Sequence, residues 1–155
     1  MSCLINGKEV SQKVKESVKS ETIKLQSKGI GVGLAVVIVG DNPASRVYVN
    51  AKKKACEEVG FNSYEYALPA ETTQQELLDL VDVLNKDEKV NGILVQLPLP
   101  SHIDENSIIN SISPEKDVDA FHPFNVGKIM IGEYSFLPCT PAGVMELIDS
   151  TGVEI

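Results

Sequence analysis

Tryptophan is absent from this 155-residue chain and aromatic residues make up only 5 % of it, so large ring-lined platforms are few. No apolar run approaches the ~18 residues of a membrane span, which excludes a spanning helix. The opening residues, Met1-Ser2-Cys3-Leu4-Ile5-Asn6-Gly7-Lys8, lack a basic stretch followed by a long apolar one, and so do not read as a secretory signal. The three cysteines, Cys3, Cys56 and Cys139, are odd in number and widely spaced. They point to neither a disulfide framework nor a zinc site. The two histidines, His102 and His122, are too few and too far apart for a histidine-rich metal centre. Basic residues are also short, with 14 Lys and Arg against 22 Asp and Glu and a net charge of −8. Such a surface repels phosphate backbones, so no nucleic-acid partner is expected. Together these features predict a cytoplasmic protein with no membrane contact.

Apolar residues at 43 % and charged residues at 23 % are ordinary for a globular chain, and this length buries about two-thirds of its unfolded surface. Residues 1–155 are therefore read as one domain. Val10, Val14 and Val18 recur every four residues and predict a helix from Glu9 to Ser27. Leu34 to Val39 is an apolar run of strand length, suited to burial on both faces in a parallel sheet. Asn42 and Pro43 form a cap and a first helical residue, opening a helix that Gly60 stops near Val59. Ser63 to Leu68 reads as a second strand. Thr73 and Glu76 match a capping box ahead of Leu77, Leu80, Val81 and Leu84. Ile93 to Leu97 is a further buried strand, followed by a short helix over Glu105 to Ile112. Pro114 to Leu137 reads as irregular. A last helix runs from Thr140 to Ser150 with Val144, Leu147 and Ile148 inward. This alternation predicts an α/β domain with three layers, a mainly parallel sheet flanked by helices and joined by right-handed crossovers.

Ligands of such sheets bind beyond the carboxyl ends of the strands, which directs attention to Gly40–Ser45 and Gln96–Pro100. Tyr48 and Lys52 are four residues apart and share a helical face, with Ser45 three residues earlier. A lysine held near a phenol and removed from water suits general acid/base work. The adjoining run Lys52-Lys53-Lys54 equally fits a solvated face. Gln96, ending an apolar strand, needs hydrogen-bond partners and can orient either a ligand or the Lys52 amine. Asp117 and Asp119 form an acidic pair suited to a cationic or amidine-like group, or to a surface turn. Without a nearby histidine or third acid they do not predict a metal site. Gly29, Gly31 and Gly33 precede a strand instead of following one, so no dinucleotide turn is visible, and no phosphate loop or nucleophile elbow occurs.

Five blocks stand in a recognisable order. They are Val39-Gly40-Asp41-Asn42-Pro43-Ala44-Ser45; Tyr48-Val49 with Lys52; Gly92-Ile93-Leu94-Val95-Gln96-Leu97-Pro98-Leu99-Pro100; Pro114-Glu115-Lys116-Asp117-Val118-Asp119; and Pro138-Cys139-Thr140-Pro141 with Gly143. Over essentially its whole length the chain resembles the bifunctional methylenetetrahydrofolate dehydrogenase/methenyltetrahydrofolate cyclohydrolase family. The resemblance implies an oxidoreductase and hydrolase of one-carbon metabolism, supplying purine biosynthesis. It would oxidise 5,10-methylene-tetrahydrofolate with NADP and hydrolyse the methenyl product to 10-formyl-tetrahydrofolate, with no metal. It also implies that Lys52 transfers protons, that Tyr48 stacks on or near the folate ring, and that Gln96 hydrogen-bonds Lys52. Asp119 would hold the amino-pyrimidine edge of the pterin. Ser45, Leu97 and Pro98 complete the implied substrate contacts.

Two departures from the family pattern stand out. Ala120 occupies a position where glycine is usual, and the sequence stops at Ile155, where the family continues into a dinucleotide-binding domain. The expectation is therefore a folate-binding catalytic domain that ends before the NADP-binding domain, from an enzyme that is a homodimer at full length. This chain would carry no cofactor-binding residues and would not perform hydride transfer. The alternative is an inactive folate-binding or partner-binding module. A short-chain dehydrogenase reading of Tyr48-x-x-x-Lys52 fails for want of an earlier glycine-rich turn.

Overall fold

The structure is a computed structural model and describes residues 4–153. Cys3 lies outside the described residues, while Cys56 is buried and free and Cys139 is exposed and free.

Helix α1 spans Gly7–Gln26 and starts two residues earlier than the valine spacing suggests, because the Asn6 side chain accepts from Lys8 N at 3.2 Å. Strand β1 is Gly33–Val39, buried along almost its whole length. Helix α2 is Pro43–Val59, capped by Asn42 and ended at Gly60, whose φ of 84° is the left-handed turn that favours glycine. Strand β2 is Asn62–Leu68 and helix α3 is Gln74–Lys86, with the Thr73/Glu76 capping box formed. Strand β3 is Gly92–Val95 and helix α4 is Glu105–Ser111. Helices α5, Pro123–Met130, and α6, Cys139–Asp149, complete the order.

The sheet order is β2-β1-β3 and both pairings are parallel, with Val37 opposite Tyr66 on one side and Val95 on the other. Alternate residues of β1 serve two cores. Ala35, Val37 and Val39 pack with Leu77, Val81 and Leu84 of α3 and Ile108 of α4. Val36, Ile38 and Leu94 pack with Val49 of α2 and with Leu34 and Val118. The sheet is thus the middle of three layers, as the alternating elements predict. Helix α1 lies outside α2, tied to it by the Lys15–Glu58 ion pair at 2.6 Å and by Gln26 Nε2 donating to Gly60 O.

Three expectations are corrected. The stretch Pro114 to Leu137, expected to be irregular, contains α5: the His122 ring nitrogen accepts from Phe124 N and Pro123 takes the first turn. The strand expected to reach Leu97 ends at Val95, although Gln96 N still donates to Val37 O at 2.8 Å. Val144 is 49 % exposed, not inward, because α6 sits beside α1 at the edge of the molecule and buries no residue fully.

Candidate active site

Helix α2 begins beyond the carboxyl end of β1 and is rigidly started by Asn42, whose side chain accepts from Ala44 N and Ser45 N. One turn apart on this helix, Tyr48 and Lys52 face a cleft of about 600 Å³. From the end of β3, Gln96 reaches the same cleft, and Lys52 Nζ donates to Gln96 Oε1 at 3.1 Å. The other end of that amide is committed too, since Gln96 Nε2 donates to Leu97 O at 2.8 Å.

The opposite wall comes from the loop after α4. Val118, Asp119 and Phe121 line the cleft there, and Pro138, Cys139, Thr140 and Pro141 at the start of α6 close one side. Leu34 and Leu94 form an apolar part of the lining. Burial pushes the Asp119 carboxyl above the usual range; the Lys52 charge pulls it down and the Asp117 charge raises it further. The acidic pair is divided in role. Asp119 faces the cleft, whereas Asp117 is buried in its own loop, where it accepts from His122 N and Asn125 Nδ2.

Tyr48 and Lys52 of α2, Gln96 after β3 and Asp119 of the loop after α4 are therefore brought together from three separate places in the sequence. Ser45 is not on the lining: it is buried in the first turn of α2. Leu97 contributes its carbonyl to Gln96 but is not on the lining, and Pro98 is exposed beside it. Sequence reasoning missed Leu34, Val118, Phe121 and Thr140 as walls; an aromatic two residues after an acid was the one local signal, at Phe121. Among the described residues no group of three or more His, Cys, Asp and Glu is placed to hold a metal. No helix of the described residues is long and apolar enough to cross a membrane.

A larger groove of about 700 Å³ lies between α1 and α6 and shares only Cys139 and Thr140 with this cleft. Its walls are mainly apolar and it contains none of Tyr48, Lys52, Gln96 and Asp119, although Lys15 and Glu146 lie on its lining.

Comparison with known proteins gives a consistent result. Residues 5–119 match the family model described as tetrahydrofolate dehydrogenase/cyclohydrolase, catalytic domain. The bifunctional protein FolD of Acetivibrio thermocellus is 64 % identical over 152 residues, covering 98 % of this chain and 53 % of that protein. The solved bifunctional FolD methylenetetrahydrofolate dehydrogenase/cyclohydrolase of Campylobacter jejuni superposes with a TM-score of 0.94 at 54 % identity, over 97 % of this chain and 54 % of that one. The Trypanosoma brucei N5,N10-methylenetetrahydrofolate dehydrogenase-cyclohydrolase, solved with NADP cofactor and inhibitor, also gives 0.94, at 39 % identity, over 99 % of this chain and 53 % of that one. This chain thus spans about half the length of the curated relatives it matches. On the family match, the relatives and the shared fold, the chain belongs to the tetrahydrofolate dehydrogenase/cyclohydrolase family.

Proposed function

We propose that residues 1–155 form the tetrahydrofolate-binding catalytic unit of a longer bifunctional enzyme that oxidises 5,10-methylene-tetrahydrofolate and hydrolyses 5,10-methenyl-tetrahydrofolate. The observation that carries this reading is the Lys52–Gln96 hydrogen bond of 3.1 Å in the cleft that also holds Tyr48 and Asp119. In this reading the Asp119 carboxylate accepts two hydrogen bonds from the N–C–N edge of the pterin, a charge-assisted pairing. Tyr48, 63 % exposed at the rim, offers its ring to the folate and can settle on it without leaving a core.

Hydrolysis then needs a proton acceptor and donor beside the methenyl carbon. Water adds to that carbon and gives one proton to Lys52 Nζ. The amine returns a proton to N5 as the bond from N5 to the carbon breaks. The carbonyl forms on the carbon retained by N10, and the remaining water proton leaves to solvent. Gln96 holds the amine in place through both transfers. Leu97 and Pro98 act here by shaping the loop that directs Gln96, and Ser45 by supporting the first turn of α2.

The relative from Trypanosoma brucei was solved with NADP. In this chain the turn after β1 has the single glycine Gly40, and the N–H groups of Ala44 and Ser45 are already bonded to the Asn42 side chain. That turn does not fit a pyrophosphate, which needs free backbone donors at a helix start. NADP is therefore assigned to the part of the enzyme outside this sequence, and no step is routed through it here. The full-length enzyme is proposed to be a cytoplasmic homodimer, on the family resemblance and on its bacterial relatives.

The test is hydrolysis of 5,10-methenyl-tetrahydrofolate by the full-length enzyme and its Lys52→Met variant. A positioned acid/base contributes about 10²–10⁴-fold, so Lys52→Met is expected to lower the rate at least 100-fold with folate still bound. A rate unchanged in Lys52→Met refutes the assignment. Folate binding without hydrolysis in the unaltered enzyme favours a binding module instead.

A further inference from the structure

Among the described residues no side-chain hydrogen bond holds Asp119; its position is set by the backbone that carries it. That backbone is the turn from Asp117 to His122, which presents Val118, Asp119 and Phe121 to the cleft. One end of the turn is fixed to the sheet, where Ile93 N donates to Lys116 O at 2.7 Å and Asp117 bridges to Ile93. The other end is fixed by a side chain. Asp117 Oδ2 reaches across the turn and accepts His122 N at 2.8 Å. The same oxygen accepts Asn125 Nδ2 at 2.9 Å, and that amide also donates to Pro114 O at 2.9 Å.

Asp117 is 2 % exposed and Asn125 is 7 % exposed, so both polar groups are buried for the sake of these bonds. Packing alone gives no reason for a carboxylate and an amide there, since burying polar groups is costly unless each is satisfied. The turn they close contains Ala120 at φ 56°, which among the described residues is the one non-glycine residue with a positive φ. A backbone held in that region relaxes unless its surroundings over-determine it.

We propose that Asp117 and Asn125 are positioning residues for Asp119: together they clamp the 117–122 turn so that its carboxylate faces the cleft. The proposal rests on reading Asp119 as the group that holds the pterin. Neither Asp117 nor Asn125 lines the cleft, so both act through the turn.

Tetrahydrofolate binding to this protein, followed by calorimetry from neutral to acid pH, tests the clamp. Asn125→Ala is expected to weaken binding at least tenfold while the far-ultraviolet circular dichroism is kept. Asp117→Ala should do the same. Asp117→Asn, which keeps an oxygen for His122 N and Asn125 Nδ2, should recover most of that loss. Two charged groups act on Asp119, Lys52 from α2 and Asp117 from its own turn. Removing the Asp117 charge lowers the pH at which binding is lost whether or not the turn is clamped, so the clamp itself is read from Asn125→Ala, which changes no charge. Binding as tight in folded Asn125→Ala as in the unaltered protein overturns the proposal. Should Asn125→Ala not fold, Asn125→Ser decides in its place, and binding as tight in folded Asn125→Ser as in the unaltered protein overturns the proposal. Absence of tetrahydrofolate binding in the unaltered protein refutes the folate reading; the clamp is then judged on a carboxyl-carbon NMR titration of Asp119, whose midpoint must shift in Asn125→Ala, a change that alters no charge, and an unchanged midpoint overturns it.

Discussion

Gly92 starts β3 beneath the cleft wall, and the space for a side chain there is already taken. A methyl group added at this position stands 2.5 Å from Val118 Cγ1 and 3.3 Å from Leu34 Cδ1. Carbon atoms in contact need ~3.5 Å or more, so the Val118 side chain must retreat by about 1 Å. Val118 is β-branched and stiff, and its backbone lies just past the bond between Ile93 N and Lys116 O. Overpacking of this kind costs about 1–3 kcal/mol, offset by roughly 0.4–1 kcal/mol from the stiffer unfolded chain, which leaves a net loss of about 1–2 kcal/mol. Urea unfolding of Gly92→Ala should report that loss. Because Val118 and Leu34 both line the cleft, tetrahydrofolate affinity should fall as well. Gly33→Ala is the control: its methyl would meet Lys89 O at 2.0 Å, a backbone obstacle away from the cleft lining. The expected cost there is larger, about 3 kcal/mol or more, with binding unaffected in the folded fraction. Combining Gly92→Ala with Val118→Ala should return about 1 kcal/mol or more relative to additivity, because the clashing methyl is gone. A Gly92→Ala protein with unchanged urea midpoint and unchanged affinity would refute the steric argument.

Other outcomes follow from the caps and charges. Asp119 has a carboxyl pKa raised by burial, so the folded state favours its protonated form. The stability that this group contributes is present below the ordinary carboxylate value of ~3.9 and is lost as pH rises through the raised one. Asp119→Asn should therefore melt at a higher temperature than the unaltered protein near pH 7, with the difference vanishing below about pH 4. Asn42→Ala frees Ala44 N and Ser45 N at the start of α2 and should cost about 1–2 kcal/mol in urea unfolding. Lys116 Nζ donates to Leu84 O and Asp87 O at the end of α3, at 3.0 and 2.8 Å. Lys116→Met keeps the stem but loses both bonds, and a loss of about 2 kcal/mol is expected by the same measurement.

Local chemistry made most of the fold legible. Asn42-Pro43 and Thr73 with Glu76 act within a few residues of themselves, so their helices could be placed from sequence, and the apolar run of β1 announced a strand buried on both faces. Helix α5 was hidden because its cap is a histidine ring and its buried residue is Asn125, whose partners Asp117 and Pro114 lie outside the helix. Val144 obeyed helical spacing, yet spacing cannot say whether a neighbour covers the face, and here it is left half exposed. In the candidate site, Tyr48 and Lys52 were legible as a helical pair and Gln96 as a polar strand end. The different fates of Asp117 and Asp119 depend on the left-handed Ala120 turn, which spacing does not reveal. Phe121 and the start of α6 reach the cleft only through tertiary packing.

The Gln96 amide has a direction. Its oxygen meets an amine and its nitrogen meets a carbonyl, so turning it over would set donor against donor and acceptor against acceptor. An amide oxygen accepts from a charged ammonium and from a neutral amine alike, whereas a carboxylate in its place would favour the ammonium. The contact at 3.1 Å asks only for an N–H on the lysine nitrogen and an oxygen lone pair on the amide. In the proposed hydrolysis, where Lys52 gives and takes protons, a neutral amide would hold the nitrogen in its place while adding no formal charge that resists either transfer.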